Sequence, residues 1–138
     1  MVPMTRIWER LYIGSRIDAE RLAKSNPCAI ATVISLCEEP VIRRAPAINY
    51  LHHPTMDDHS LVQAALDAIL DAIAENIRWG TVLLHCGSGI SRAPIFAAAW
   101  MDAVGYKSLE TALEEIAERR PIIAPSSTLL TAVRKSLR

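Results

Sequence analysis

Cysteine is scarce in this chain: 138 residues carry three, Cys28, Cys37 and Cys86. An odd and sparse set argues against a disulfide-stapled secreted scaffold and for a reducing compartment. No Cys/His spacing reads as a zinc site, so neither a metal nor another cofactor is expected. Net charge is lacking as well. Fifteen Lys+Arg balance fifteen Asp+Glu, which leaves no global field to favour nucleic acid or an anionic membrane surface. No apolar run approaches the roughly 20 residues of a membrane span. The opening Met1-Val2-Pro3-Met4-Thr5-Arg6 has no signal-peptide apolar core, so a cytoplasmic protein is expected. Repeats, linkers and low-complexity tracts are missing, which makes residues 1–138 one expected domain, large enough for a core without staples. Nothing in the pattern bears on oligomeric state.

What is present is an alternation of strand-like and helix-like segments, the signature of an α/β layer structure. Short strands are expected near 6–8 and 11–14, and a short helix over 18–24, stopped near Pro27. Residues 29–36 are apolar and β-branched between turn residues, which reads as a buried strand. A further strand is expected at 48–52. Leu61, Ala65, Ile69, Ile73 and Ile77 recur every four residues and predict a helix over 60–77. Gly80 stops it, and 81–84 reads as the central strand. Three helices should follow. The first runs over 94–104, with Pro94 in its first turn and Gly105 past its end. The second is N-capped by Ser108 and ended by Pro121, and the third spans about 127–137. Trp8, Trp79 and Trp100 read as core or half-buried aromatics, and Arg119, Arg120, Arg134, Lys135 and Arg138 as a solvated basic face that Arg119 and Arg120 extend toward the pocket.

The chemistry concentrates in His85-Cys86-Gly87-Ser88-Gly89-Ile90-Ser91-Arg92, a His-Cys-x5-Arg segment between the central strand and a helix. Strand, Gly-bearing loop and helix N-terminus in that order form a nest of backbone N–H groups that fits a phosphate-sized dianion. The same nest lowers the pKa of a thiol held beside it. An arginine closing the loop can grip two phosphate oxygens with its planar fork. Cys86 is therefore the candidate nucleophile. Gly87, Ser88, Gly89, Ile90, Ser91 and Arg92 are the candidate phosphate cradle.

This segment resembles the active-site signature of the cysteine-dependent protein tyrosine phosphatases, specifically the dual-specificity branch. Four other stretches carry the resemblance in the family's order: Arg6-Ile7-Trp8 with Leu11-Tyr12-Ile13-Gly14, then Thr32-Val33-Ile34-Ser35-Leu36, then Tyr50-Leu51-His52-His53-Pro54-Thr55-Met56-Asp57, and finally Arg119-Arg120-Pro121-Ile122 with Pro125-Ser126. A bare Cys-x5-Arg is common by chance; five ordered stretches over nearly the whole chain are not. The resemblance implies a central, mainly parallel sheet with helices on both faces. It also implies that Asp57 is the general acid, which a poor leaving oxygen requires. Asp58 and His59 are its rivals. His85 is implied to tune the loop by hydrogen bonding, and Ser91 occupies the family's serine before the arginine. Ala93 departs from the pattern, since the family usually carries a hydroxyl there to stabilise the departing thiolate.

Cys37 ends the strand before Glu38-Glu39-Pro40. Strand ends converge on the ligand crevice of an open α/β sheet. Cys37 is thus a candidate redox partner of Cys86, set against the commoner fate of a buried apolar thiol. Cys28 reads as structural.

The expected reaction is metal-free phosphomonoester hydrolysis through a phosphocysteine. By resemblance, the substrates are phosphotyrosine and phosphoserine/threonine proteins. A small phosphomonoester or an RNA 5′-phosphate stands as the alternative. The segment between Cys86 and Arg92 has no lysine, unlike the basic loops of phosphoinositide-selective relatives. A slow-turnover phospho-binding module draws support from Ala93 alone. A rhodanese-like sulfur carrier is disfavoured by the aspartate segment and the helical C-terminal third.

Overall fold

The computed structural model describes residues 3–55 and 63–137. Five strands form one sheet: β1 (Thr5–Trp8), β2 (Leu11–Gly14), β3 (Ile30–Ser35), β4 (Asn49–His52) and β5 (Thr81–His85). Their order across the sheet is β1-β2-β5-β3-β4. β1 runs antiparallel to β2, and every other pairing is parallel. β5 therefore lies in the middle and is buried from Val82 to His85, as a strand covered on both faces should be. Its side chains alternate between two cores: Val82 and Leu84 face one, Leu83 the other.

The two faces are unequal. α2 (Gln63–Ile77), α3 (Arg92–Ala103), α4 (Leu109–Arg119) and α5 (Ser127–Ser136) contribute to the larger core. The opposite face is covered by the six-residue α1 (Arg16–Arg21) and by Val41 and Ile48 of the segment joining β3 to β4. α3 is buried at every position from Ala93 to Met101, so it is the central helix of its layer. Burying one Leu- or Ile-sized side chain contributes roughly 1.5–3 kcal/mol. The α2–α5 face, with most of the buried aliphatics, thus anchors α3 and the loop at its N-terminus.

Local chemistry explains the element ends. Gly105, at φ +77°, closes α3: its N–H donates to Asp102 O at 3.0 Å, and the Tyr106 N–H donates to Met101 O at 2.9 Å. This is the glycine-terminated helix stop expected from Gly105. Ser108 caps α4 by accepting the Thr111 N–H. α1 starts at Arg16 rather than 18, because Ser15 and Asp18 form a reciprocal capping box. Asp18 is thus the third helical residue, not the first. Trp8 and Trp100 pack edge to face at 6.0 Å. Trp79, expected at least half-buried, is 81% exposed beneath the Arg78 guanidinium. It lies just past the end of α2, outside both hydrophobic cores.

Candidate active site

In a doubly covered parallel sheet, ligands bind at the carboxyl ends of the strands. β2, β5 and β3 lie side by side and end at Gly14, His85 and Ser35, which are in register. The loop Cys86–Ser91 springs from the middle of this row and enters α3 at Arg92. Cys86 is buried, and its Sγ accepts the Ala93 N–H at 3.5 Å. The sulfur therefore sits against the first turn of a twelve-residue helix, where unsatisfied N–H groups and the helix dipole stabilise negative charge.

The loop is held from outside by its carbonyls. Gly87 O accepts the Arg16 N–H at 3.0 Å, and Ile90 O accepts the Ala124 N–H at 2.6 Å. Ser88 O and Gly89 O accept from the Arg120 guanidinium at 3.5 and 3.0 Å. Four consecutive carbonyls are thus tied outward. The N–H groups of the same four residues donate to no protein acceptor among the described residues. That division makes an anion nest: one side of each peptide plane is anchored and the other is left to a ligand. Gly89 is required by its surroundings. Its φ is +74°, and a Cβ would lie 2.6 Å from Gly14 C and 2.7 Å from Gly14 O.

Arg120 is the residue that sequence reasoning misplaced. It is 1% exposed rather than part of a solvated face. Besides the two loop carbonyls, it donates to Pro3 O at 2.6 Å and Thr5 Oγ1 at 2.9 Å. Burial pushes its pKa below the usual arginine value, while Asp18 and Cys86 oppose that shift. Arg119 stays exposed, and Arg134 pairs with Glu110 at 2.6 Å.

Arg92 reaches from the loop toward β3. Its Nη1 donates to Leu36 O at 3.2 Å and Thr55 O at 2.8 Å, and Nη2 lies above Gly87. Thr55 is further fixed by its N–H, which donates to Leu36 O at 3.0 Å, and the His53 N–H donates to Ser35 O at 2.8 Å. The chain after β4 is therefore led along the end of β3 toward the loop. Asp57, Asp58 and His59 lie outside the described residues.

His85 is fully buried. Its Nε2 lies 2.6 Å from Ser35 Oγ and its Nδ1 3.3 Å from Cys86 O. Since a carbonyl can only accept, Nδ1 carries the proton and Nε2 accepts from the Ser35 hydroxyl. Burial, reinforced by the Arg16 and Arg92 charges against the Cys86 carbonyl and Glu20, lowers the His85 pKa to about 4. The imidazole is therefore neutral at pH 7 and works as a hydrogen-bonding strut beneath the loop. Cys37 is buried, with Sγ 3.8 Å from His85 Nδ1. Burial raises its thiol pKa and the Cys86 sulfur adds to this, against the Arg92 and Arg16 charges. Cys28 is half-buried beside Tyr12, away from this group.

The Ser91 hydroxyl accepts the Ser126 N–H at 3.1 Å, which pins the loop to the start of α5. Ser88 is exposed. No group of three His, Cys, Asp or Glu side chains able to hold a metal occurs among the described residues. No described helix is long and apolar enough to cross a membrane.

The family model for the dual specificity phosphatase catalytic domain matches residues 11–136. Bovine dual specificity protein phosphatase 18 is 30% identical over 129 residues, which cover 90% of this chain and 67% of its own length. Human dual specificity protein phosphatase 5 is 29% identical over 121 residues, and the match spans only 31% of that longer protein. Among solved structures, DUSP15 superposes with a TM-score of 0.83 at 28% identity, covering 98% of this chain and 85% of that one. Human DUSP28 shares the fold, with a TM-score of 0.84 at 21% identity over 99% and 93% of the two chains. The chain belongs to the dual-specificity phosphatases of the cysteine-dependent protein tyrosine phosphatase superfamily.

Proposed function

We propose that this chain hydrolyses phosphomonoesters through a phosphocysteine on Cys86, and that its substrates are proteins phosphorylated on tyrosine and on serine or threonine. The observation that carries the reading is the loop's division of labour: carbonyls 87–90 are all bound from outside, and the helix N-terminus donates an N–H to the Cys86 sulfur. A phosphate seated in the nest would present phosphorus to the sulfur. The loop amides and Arg92 would hold its three non-bridging oxygens, which gain charge density to be stabilised during transfer. The sulfur–phosphorus bond forms as the bond to the leaving oxygen breaks. Asp57 donates the proton which that oxygen needs, then takes one from the water that cleaves the phosphocysteine. The arginine fork and amides supply the positive potential for both steps.

The test is p-nitrophenyl phosphate hydrolysis with chelator present. Cys86→Ser should abolish turnover yet still bind vanadate, because a serine hydroxyl is not activated by a field that suffices for a thiol. Residual activity within tenfold of wild type would sink the thiolate mechanism. Asp57→Asn should lower kcat by roughly 10²-fold on poor leaving groups and flatten the basic limb of the pH–rate profile. If Asp58→Asn proves the more damaging change, the acid is Asp58.

A further inference from the structure

Beside the phosphate loop, on the thin face of the sheet, lies an open cleft of about 630 Å³ between α1 and the 40–44 segment. Its lining is strongly one-signed. Arg16, Arg21, Lys24 and Arg43 contribute four cations, and Glu20 is the one acid among them. Glu20 is already committed. Its carboxylate accepts the Ile42 and Arg43 N–H groups at 3.1 and 2.7 Å and pairs with Arg16 at 3.5 Å. Arg16 in turn holds Glu39 O and Pro40 O at 2.9 and 2.6 Å. The Arg16–Glu20 pair therefore builds the cleft and cancels its own charge. Arg21, Lys24 and Arg43 remain, with no ion pair among the described residues. Two aliphatic side chains lie exposed in the same cleft, Ile17 at 48% and Ile42 at 79%. In a chain with no net charge, a local excess of three cations around two exposed isoleucines is a feature that folding does not require.

Its position relative to the loop gives it a use. The first residue of α1 touches the cradle, through the Arg16 N–H on Gly87 O. Five residues along a helix is about 8 Å, so Arg21 stands roughly that far from the cradle. An extended peptide covers about 3.3 Å per residue. A chain whose phosphorylated residue occupies the loop would therefore lay its second to fourth neighbours over the cleft.

We propose that this cleft is a specificity site for an acidic segment of the phosphoprotein substrate, with Arg21, Lys24 and Arg43 pairing with carboxylates two to four residues from the phosphorylated side chain and Ile17 and Ile42 taking an apolar residue between them. The assignment rests on the phosphatase reading above for its orientation, but its test does not depend on turnover. Fluorescein-labelled phosphotyrosine peptides are made with Glu, Ala or Lys at positions two to four, on either the N-terminal or the C-terminal side. Their binding to the Cys86→Ser chain is followed by fluorescence anisotropy. Exposed ion pairs contribute modestly, so Glu on one side should tighten binding about threefold to tenfold over Ala. Lys should weaken it, and added salt should shrink the spread.

In Lys24→Glu/Arg43→Glu the preference for Glu should vanish or invert, while wild-type and variant hydrolysis of p-nitrophenyl phosphate stay equal. If Glu and Ala peptides bind alike on both sides, or if the double variant keeps the preference, the proposal is overturned. It is also overturned if the variant loses binding to phosphatidylserine vesicles while peptide preference is untouched, since the cleft would then face a lipid surface. Absence of p-nitrophenyl phosphate hydrolysis in wild type alongside a charge-dependent peptide preference would remove the phosphatase reading and leave the cleft.

Discussion

At Ala93 the chain offers the sulfur a backbone N–H and no hydroxyl. In the two-step reaction proposed above, the second step would expel Cys86 as a thiolate, and the donors at the sulfur would decide how readily it leaves. A charge-assisted hydrogen bond is worth roughly 1.5–3 kcal/mol, or about tenfold to a hundredfold in rate. Without a hydroxyl at position 93 to add such a bond to that of the backbone N–H, breakdown of the phosphocysteine should limit turnover. Wild type should then give a pre-steady-state burst with p-nitrophenyl phosphate and a kcat nearly independent of the leaving group. Ala93→Ser should raise kcat and shrink the burst. No burst, together with an unchanged kcat in the variant, would mean that another donor already serves the sulfur.

Arg120 shows what a residue-by-residue reading misses. It follows Arg119 directly, and Pro121 marks it as the point where the helix ends but not as a buried residue. The distinction arises because Arg120 caps α4 with φ −136° and ψ 79°. It leaves the helix there ahead of Pro121, and its side chain runs under the phosphate loop, a destination set by tertiary packing. Cys86, Gly89 and Arg92, by contrast, were readable from one short segment, because loop length and glycine placement are local constraints.

The two glycines of the loop as an element are not equivalent. A Cβ on Gly87 would meet nothing nearer than Arg92 Nη2, at 3.6 Å. A Cβ on Gly89 would run into the backbone of Gly14, with φ already in the left-handed region. Gly89→Ala should therefore destabilise the fold by about 1–3 kcal/mol from backbone strain alone, with the clash added. Gly87→Ala should change stability by under about 0.5 kcal/mol. Urea unfolding of the two variants checks this, and equal midpoints would mean that the loop yields freely. The elements around it were legible to differing degrees. The long helix, the buried strand and the Ser108 cap follow from periodicity and side-chain chemistry. The start of α1 did not, because Asp18 reads as a first-turn acid until Ser15 is seen closing the box with it.

Across the whole molecule, the central sheet position of the active loop has a thermodynamic consequence. The apolar runs of β3 and β5 made buried strands legible, and the family resemblance implied cover on both faces; the thinness of the α1 face was not legible, since coverage depends on how neighbouring segments fold back. Burial of His85 at the end of the central strand couples the site to global stability. Its pKa falls from 6.5 to about 4 on folding, with burial the leading cause. Above pH 6.5 both states are neutral, and stability is at its full value. Between 6.5 and about 4 the unfolded chain binds a proton that the folded chain refuses, so stability drops as pH falls and then levels off. A shift of this size corresponds to about 3 kcal/mol over that window. Carboxylates add their own dependence at the acid end of the window, and comparison with a His85 variant cancels their share. His85→Gln should be less stable than wild type at pH 7, because the bonds to Ser35 and Cys86 are altered. The gap should close by pH 4.5, since glutamine has no proton to gain. Urea unfolding of both chains at pH 7, 6, 5 and 4.5 measures the gap directly. A constant difference across that series would mean that His85 gains its proton in the folded chain as readily as in the unfolded one, and that the neutral strut beneath Cys86 is not what the strand end provides.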